Sequence, residues 1–430
     1  MKKLNKEIKP TDEQLEILKA FKEHDELKIN AVSGSGKSST LRLLAEDNNV
    51  PSLYICFNKQ NATEASEKFP KHTECRTVHS LAYSVFGKHI AHKINTKDYK
   101  YINRGRTPKE LVSLYNIDSY CFDNNEKIEA RVIASLAKRA VNTYQNSADE
   151  QVEKHHINLK ELKILDNREI KKKEVEGLYK EVLKIARKLW KDKVNVKSPV
   201  KADHDTYQKL YQLSKPKLNY DVIYVDEFQD TNPVVLDVIN NQKHCKRVYV
   251  GDTYQSIYAF RGAINAMEKV KCPTLLLSKS FRYGEEIASL ATFIIDGKIN
   301  VKGNEEIQSS IIDTDNESIS DLNQQYTYIF RTNSALLEEA VNLIGMGLKV
   351  RCEIDPKKFK SLIESSLALY SNDYSKIKDD EISVYTSFKD MMEDGKENPE
   401  VSRLVKIVLS GDSFKYIKAL ESVVKTKDSN

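Results

Sequence analysis

Apolar positions change their spacing several times along this chain, and each change predicts a different element. Over residues 11–23 (TDEQLEILKAFKE), Leu15, Leu18 and Phe21 recur at helical spacing. Thr11 stands where a helix is capped and Gln14 at the capping-box position. LKINAV (27–32) is a short apolar run and predicts a strand. The polar, glycine-rich start of SGSGKSSTLRLLAE (33–46) predicts a loop that opens into a helix. SLYICFN (52–58) predicts a second strand, with TEASEKF following as helix. Far downstream, DVIYVDE (221–227), RVYVGD (247–252) and TLLLSKSFR (274–282) are again short apolar runs, the first two ending in acidic residues. Runs of this kind read as buried parallel strands. Strands alternating with helices predict an α/β fold built on a doubly wound parallel sheet.

Between about residues 88 and 205 the pattern becomes helical throughout, as in NEKIEARVIASLAKRAVNTY and VEGLYKEVLKIARKLW. This block reads as a helical subdomain inserted between residues 1–87 and 206–295, which together carry the predicted sheet. A further unit begins near residue 296. YTYIFRTN (326–333) and LKVRCEI (348–354) read as strands on either side of a helix over SALLEEAVNLIGMG, and the remainder is mostly helical and polar.

Composition sharpens this outline. A chain of 430 residues corresponds to about two to four domains. With 40% hydrophobic and 30% charged residues it can bury a core and stay in solution, which excludes collagen-like and low-complexity classes. No apolar run approaches the ~18 residues a membrane span needs. The start, MKKLNKEIKPTDEQ, has no apolar stretch of the signal-peptide kind. The cysteines are scattered without metal-ligand spacing, as expected of reduced thiols in a cytoplasmic protein. Abundant Lys, Asn, Ile and Tyr point to an AT-rich genome, such as that of a phage or low-GC bacterium. The net charge of +5 is small. Its distribution is uneven, because Lys88–Asp205 holds 26 basic against 18 acidic residues and the remainder 42 against 45. Such a segment is either a phosphate-backbone surface or simply a solvated helical face.

The strongest chemical signal is AVSGSGKSS (31–39). Gly34 and Gly36 permit backbone conformations closed to other residues. The N–H groups of Ser33, Gly34, Ser35, Gly36, Lys37, Ser38 and Ser39 can then converge on phosphate oxygens at a helix N-terminus. Lys37 would neutralise the β- and γ-phosphates of ATP, and Ser38 would hold Mg²⁺. The generic phosphate-loop pattern begins with glycine, whereas this run begins with Ala31. At the end of a later strand, Asp226 suits the same metal and Glu227 the activation of water. In VGDTYQSIYAFRGA (250–263), Gln255 is placed to report the state of the γ-phosphate. Tyr258, Phe260 and Arg261 lie just beyond it, and aromatic faces stack on unpaired bases for about 1–3 kcal/mol each.

Taken together these runs resemble the UvrD/Rep-type superfamily 1 DNA helicases, and especially their bacterial, phage and F-box-helicase branch. TDEQLEIL, AVSGSGKS, CFNKQNATEA, TVHSLAY, VDEFQDTNP, GDTYQSIYAFRGA, LSKSFR and IFRTNSALLEEA occur in the family's order from residue 8 to about 350. The resemblance implies a P-loop NTPase with a RecA-like core in residues 1–87 and 206–295. It makes residues 88–205 a basic insertion that touches DNA. Residues 296–430 become a partial second RecA-like domain with the start of a helical insertion. It also implies that Gln14 reads adenine and that Arg282 contacts the γ-phosphate. Phe57, Asn58, Thr77, His79, Tyr258, Phe260 and Arg261 fall at positions that resemble contacts to single-stranded DNA.

Two of the family's later motifs, a TxHxxKGLEW-like run and a TRA-like run, do not occur before Asn430. In the family the second carries an arginine facing the γ-phosphate, a group worth roughly 10³–10⁵ in turnover. The expectation is therefore a chain that binds ATP and hydrolyses it weakly alone. It would be a fragment, a split product, or one of two polypeptides that together supply the motifs. Three functional readings stay open. One is an ATP-dependent helicase of 3′→5′ polarity, or its N-terminal part. Another is an ATP-switched module that binds DNA or a partner without separating strands. The third is the same motor acting on RNA.

Overall fold

The computed structural model describes residues 9–56, 58–94, 105, 108–159, 162, 165, 170–256, 265–311, 327–348, 350–352, 355–379, 381–385, 387–395 and 399–427. Its centre is a six-stranded sheet. In chain order the strands are β1 (Glu26–Ala31), β2 (Ser52–Ile55), β3 (Thr73–Arg76), β6 (Val222–Val225), β7 (Lys246–Gly251) and β8 (Thr274–Leu277). The short hairpin of β4 (Tyr120–Cys121) and β5 (Lys127–Ile128) lies apart from it. The sheet runs β3-β2-β6-β7-β1-β8, and every pair in it is parallel.

Alternation of side chains along each strand sorts the core onto two faces. Leu27, Ile29, Tyr54, Val222, Tyr224, Val248 and Val250 meet the helices Asp12–Glu23, Lys37–Asp47 and Lys59–Ser66 on one face. Leu53, Ile55, Ile223, Val225 and Tyr249 meet the helices His204–Leu213 and Pro233–Asn240 on the other. All four residues of β2 and all four of β6 are buried, which explains why both read as continuous apolar runs. β3, a polar TECR at the sheet edge, carries no such run and is not evident from the pattern.

Among the described residues of the block between 88 and 205 the main elements are helices, apart from the hairpin. Its core gathers Leu111, Ile133, Leu136, Val141 and Tyr144 against Leu178, Val182 and Leu189. Buried lysines hold it together, and Lys209 ties it to the sheet domain. Lys93, fully buried, donates to the carbonyls of Asp192, Lys193 and Asn195 at 2.7 Å each, closing the C-terminus of the helix Lys172–Val194. Lys209 donates to the carbonyls of Ser147 and Asp149 at 2.8 and 2.5 Å. Lys193 pairs with Asp203 and donates to Gln145 Oε1 at 2.8 Å.

Beyond residue 296 the expected strands do not form. Tyr328 to Arg331 and Leu348 to Cys352 have no strand geometry among the described residues. A parallel strand needs a hydrogen-bonded neighbour. In this region the described residues offer only the isolated bridge between Lys279 and Lys302. Val350 and Cys352 do pack on Leu336, Ala340 and Ile344 of the helix Asn333–Gly345, so the apolar alternation found its helix without a sheet. The rest is a helical cluster centred on Ile363, Leu369, Met391, Leu404 and Leu420.

The Asp203 carboxyl is opposed by its own burial, yet the Lys193 ammonium, with Thr206 and Gln145, holds it down to about 2 against an ordinary 3.8. Its contribution is therefore complete above about pH 4 and disappears as the pH falls through about 2. Asp203→Ala is expected to cost about 1–2 kcal/mol at pH 7, allowing for partial exposure of the carboxylate. The urea midpoints of variant and parent should converge as the pH is lowered from about 4 toward 2.

Candidate nucleotide site

The loop after β1 is shaped by its two glycines. Gly34 and Gly36 take φ values of +74° and +85°, the left-handed region that disfavours a side chain. A methyl group at Gly34 would lie 2.7 Å from Arg282 Cγ, so the stem of Arg282 packs directly over the loop. Phe281 N donates to the Gly34 carbonyl at 2.9 Å and fixes this approach. The helix Lys37–Asp47 starts at Gly36 with no side chain capping it. Its first N–H groups are thus left facing the loop, an arrangement suited to an anion.

The two acidic residues lie across the sheet from this loop. Ser38 Oγ donates to Asp226 Oδ2 at 2.9 Å, and Lys37 Nζ pairs with Glu227 Oε2 at 2.8 Å. Tyr54, from β2, donates its hydroxyl to the same Asp226 Oδ2 at 2.5 Å. Asp226 Oδ1 accepts the Glu227 N–H at 2.9 Å. Burial first, and the Glu227 carboxylate second, push the Asp226 pKa up. Glu227 itself has φ +51°, uncommon for a residue with a side chain.

A divalent cation fits these donors. Asp226 is a buried carboxylate with raised proton affinity, so bringing positive charge to it is favourable. The Ser38 hydroxyl beside it is a hard oxygen ligand of the kind Mg²⁺ takes. The buried Ser35 hydroxyl in the loop has no hydrogen-bond partner among the described residues.

A family model of the UvrD/REP helicase N-terminal domain matches residues 11–271. The chain belongs to that family. Similar relatives include F-box DNA helicase 1 of Gallus gallus, 31% identical over 81% of this chain and 33% of the relative. F-box DNA helicase protein 1 of Schizosaccharomyces pombe is 31% identical over 74% of this chain and 37% of its own length. The ATP-dependent DNA helicase SRS2 of Saccharomyces cerevisiae is 38% identical over 17% of this chain and 7% of its own. This UvrD/REP-family chain thus spans about a third of the length of the two F-box relatives. All three relatives are eukaryotic, and none supports the phage or bacterial source that the composition suggested. Among the described residues no helix is long and apolar enough to cross a membrane.

The remaining expected residues fall in different surroundings. Gln14 is buried beside the loop. Its Oε1 accepts the Thr11 N–H at 3.0 Å, completing the capping box, and its Nε2 donates to Thr40 Oγ1 at 2.9 Å. Gln255 Nε2 donates to Asp252 Oδ2 at 2.7 Å, just past the end of β7. Asn58 and Thr77 cap the helices that follow β2 and β3, accepting the N–H of Asn61 at 2.8 Å and of Ser80 at 3.1 Å. His79 is half-buried and lies 3.5 Å from Asp205. Phe57, Tyr258, Phe260 and Arg261 lie outside the described residues.

Three residues were missed by the sequence reading. Tyr54 looks like one more apolar position of β2. Asp252, whose pKa burial pushes up, follows a strand as unremarked as any acid. Gln229 is buried and spans the site. Its Nε2 donates to Glu227 Oε2 at 2.9 Å and its Oε1 accepts the Asp252 N–H at 3.0 Å. Only the run DEFQD hinted at it.

Gly251 makes room for that span. A methyl group there would sit 2.5 Å from Gln229 Oε1 and 3.0 Å from Met267 Sδ. Gly251→Ala is expected to destabilise the fold by about 1–3 kcal/mol through overpacking. Urea unfolding measures this, and in a Gln229→Ala background most of the cost should vanish.

Proposed function

We propose that this chain is the ATP-binding part of a DNA helicase or translocase that hydrolyses ATP with Mg²⁺ and grips single-stranded DNA. The observation that carries the reading is the pairing of the loop residues Lys37 and Ser38 with Glu227 and Asp226 across the sheet. A phosphoryl-transfer site needs this set of groups and little covalent chemistry from the protein.

In the proposal, the loop N–H groups and the open helix N-terminus bind the phosphates. Ser38 and Asp226 would hold Mg²⁺, which supplies charge neutralisation on the phosphate oxygens. Lys37 exchanges Glu227 for phosphate oxygens. Glu227, released from that ion pair, orients water and accepts its proton. Arg282, stacked on Gly34, adds positive charge at the loop's outer side. Gln255 and Asp252 lie where a change at the γ-phosphate is felt at the end of β7. Gln14, beside Gly36, is positioned for the adenine. Single-stranded DNA would run over the ends of β2 and β3, past Phe57, Asn58, Thr77 and His79, and along Tyr258, Phe260 and Arg261. The basic block 88–205 flanks that path, and 3′→5′ polarity follows from family analogy alone. Strand separation would draw on the family's two later motifs, carried on the same or a second polypeptide.

A second reading is that ATP switches the grip on DNA or a partner without separating strands.

The decisive measurement is ATP turnover with and without single-stranded DNA, with RNA as a parallel arm. DNA should raise turnover in the parent. Lys37→Ala should abolish it. Glu227→Gln should lower it by roughly 10²–10⁴-fold while nucleotide binding persists. Absence of any nucleotide uptake by calorimetry would overturn the proposal, and uptake without strand separation once the later motifs are supplied would favour the second reading.

A further inference from the structure

We infer that Tyr54 is a positioning residue whose hydroxyl locks the Asp226 carboxylate and thereby sets how strongly the site takes a divalent cation. The inference rests on the nucleotide-site reading above and deepens it.

Strand register places Tyr54 there. β2 lies beside β6 with Tyr54 opposite Tyr224 and Ile55 opposite Val225. Residues 54, 224 and 226 therefore share one face of the sheet, the face covered by the helix that begins at Lys37. The Asp226 N–H donates to the Ile55 carbonyl at 2.8 Å and carries the strand pairing one residue past β6. Asp226 is thus tied to β2 through its backbone, and Tyr54 ties it through its side chain. The tyrosine ring packs at 4.6 Å, centroid to centroid, on Phe69, and Tyr54 is only 2% exposed, so its hydroxyl has little freedom to look elsewhere.

The direction of that bond is not ambiguous. A phenol loses its proton many pH units above a carboxylic acid, so Tyr54 donates and Asp226 accepts. Asp226 Oδ1 is occupied by the Glu227 N–H and Oδ2 by the Ser38 and Tyr54 hydroxyls. Of these, the Ser38 hydroxyl belongs to the proposed cation site and must turn its lone pairs inward when a cation enters. Among the described residues, Tyr54 is then the one side chain left bonded to the carboxylate. Outer partners of this kind orient a ligand and are commonly worth 10–100-fold in metal affinity.

Tyr54→Phe keeps the ring and removes only the donor. The test is calorimetric affinity for ATP in EDTA and at saturating Mg²⁺, using the whole chain. In the parent, Mg²⁺ should raise the affinity. In Tyr54→Phe that gain should shrink about tenfold, with affinity in EDTA unchanged. In an Asp226→Asn background, Tyr54→Phe should have no further effect on the gain. A full Mg²⁺ gain in Tyr54→Phe overturns the inference and leaves the nucleotide-site reading standing. Equal weakening with and without Mg²⁺, or loss of cooperative unfolding, overturns it in favour of a merely structural tyrosine. A parent that shows no Mg²⁺ gain sinks both.

Discussion

The contact between Ser38 and Asp226 joins residues 188 positions apart in the chain, and the site depends on it. It exists because β1 and β6 are both parallel partners of β7, with Ile29 opposite Val250 and Tyr224 opposite Val248. One residue of slip in either pairing would turn the side chain of Asp226 to the opposite face, away from the helix that begins at Lys37. Register in a sheet buried on both faces is strongly specified, and here apolar packing supplies it together with the opposed ion pair of Glu26 and Arg247. Leu27, Ile29, Val248 and Val250 lie in the same layer as Leu41 and Leu44 of that helix. The chemistry at the carboxyl edge of the sheet is positioned by the hydrophobic layer beneath it.

That edge concentrates negative charge. Asp226, Glu227 and Asp252 lie close enough that the Glu227 charge raises the proton affinity of both neighbours, with burial the larger cause in each case. Lys37 is the nearest compensation, paired with Glu227 and acting on the other two through space. An ion pair at 2.8 Å between Lys37 and Glu227 makes each group the other's competitor for a future partner. In the proposed cycle this arrangement keeps Glu227 out of use until phosphate oxygens draw Lys37 away. Gln229 gives the acid a second donor, so it stays oriented when the lysine leaves.

Much of this was legible in the chain. β1, β2, β6, β7 and β8 announce themselves as short apolar runs, the loop by its glycines, and Asp226 and Glu227 by ending a strand. The capping box at Thr11 and Gln14 was readable and is present. What was not legible depends on tertiary partners. β3 is a polar TECR, so periodicity has nothing to report. Tyr54 and Gln229 act through cross-strand geometry, and an aromatic inside an apolar run looks the same whether or not its hydroxyl meets a carboxylate. The reverse error occurred at residues 326–333 and 348–354, where strand-like alternation was present but no described neighbour completes the ladder. Alternation specifies a face to bury. It does not supply the hydrogen-bonding partner that makes a strand.

If Asn58 and Thr77 contact DNA as proposed, a structural role and a functional one share a side chain. Asn58 and Thr77 are helix caps, and a cap uses only the acceptor capacity of the side chain, taking an N–H from the first turn. An asparagine in that position still carries two N–H donors, and a threonine its hydroxyl hydrogen. Capping turns the acceptor toward the helix and so leaves the donor side directed away from it. A nucleic-acid backbone presents acceptors and no donors on its phosphates, so the unspent half of each capping group is the half a phosphate can use. The same logic holds at Gly36, where the absence of a side-chain cap leaves the N–H groups themselves unspent. At the carboxyl edge of this sheet, helix starts divide their labour accordingly. Those after β2 and β3 are closed by side chains with donors to spare, and the one after β1 is left open, which in the proposed reading suits the phosphates of a nucleotide.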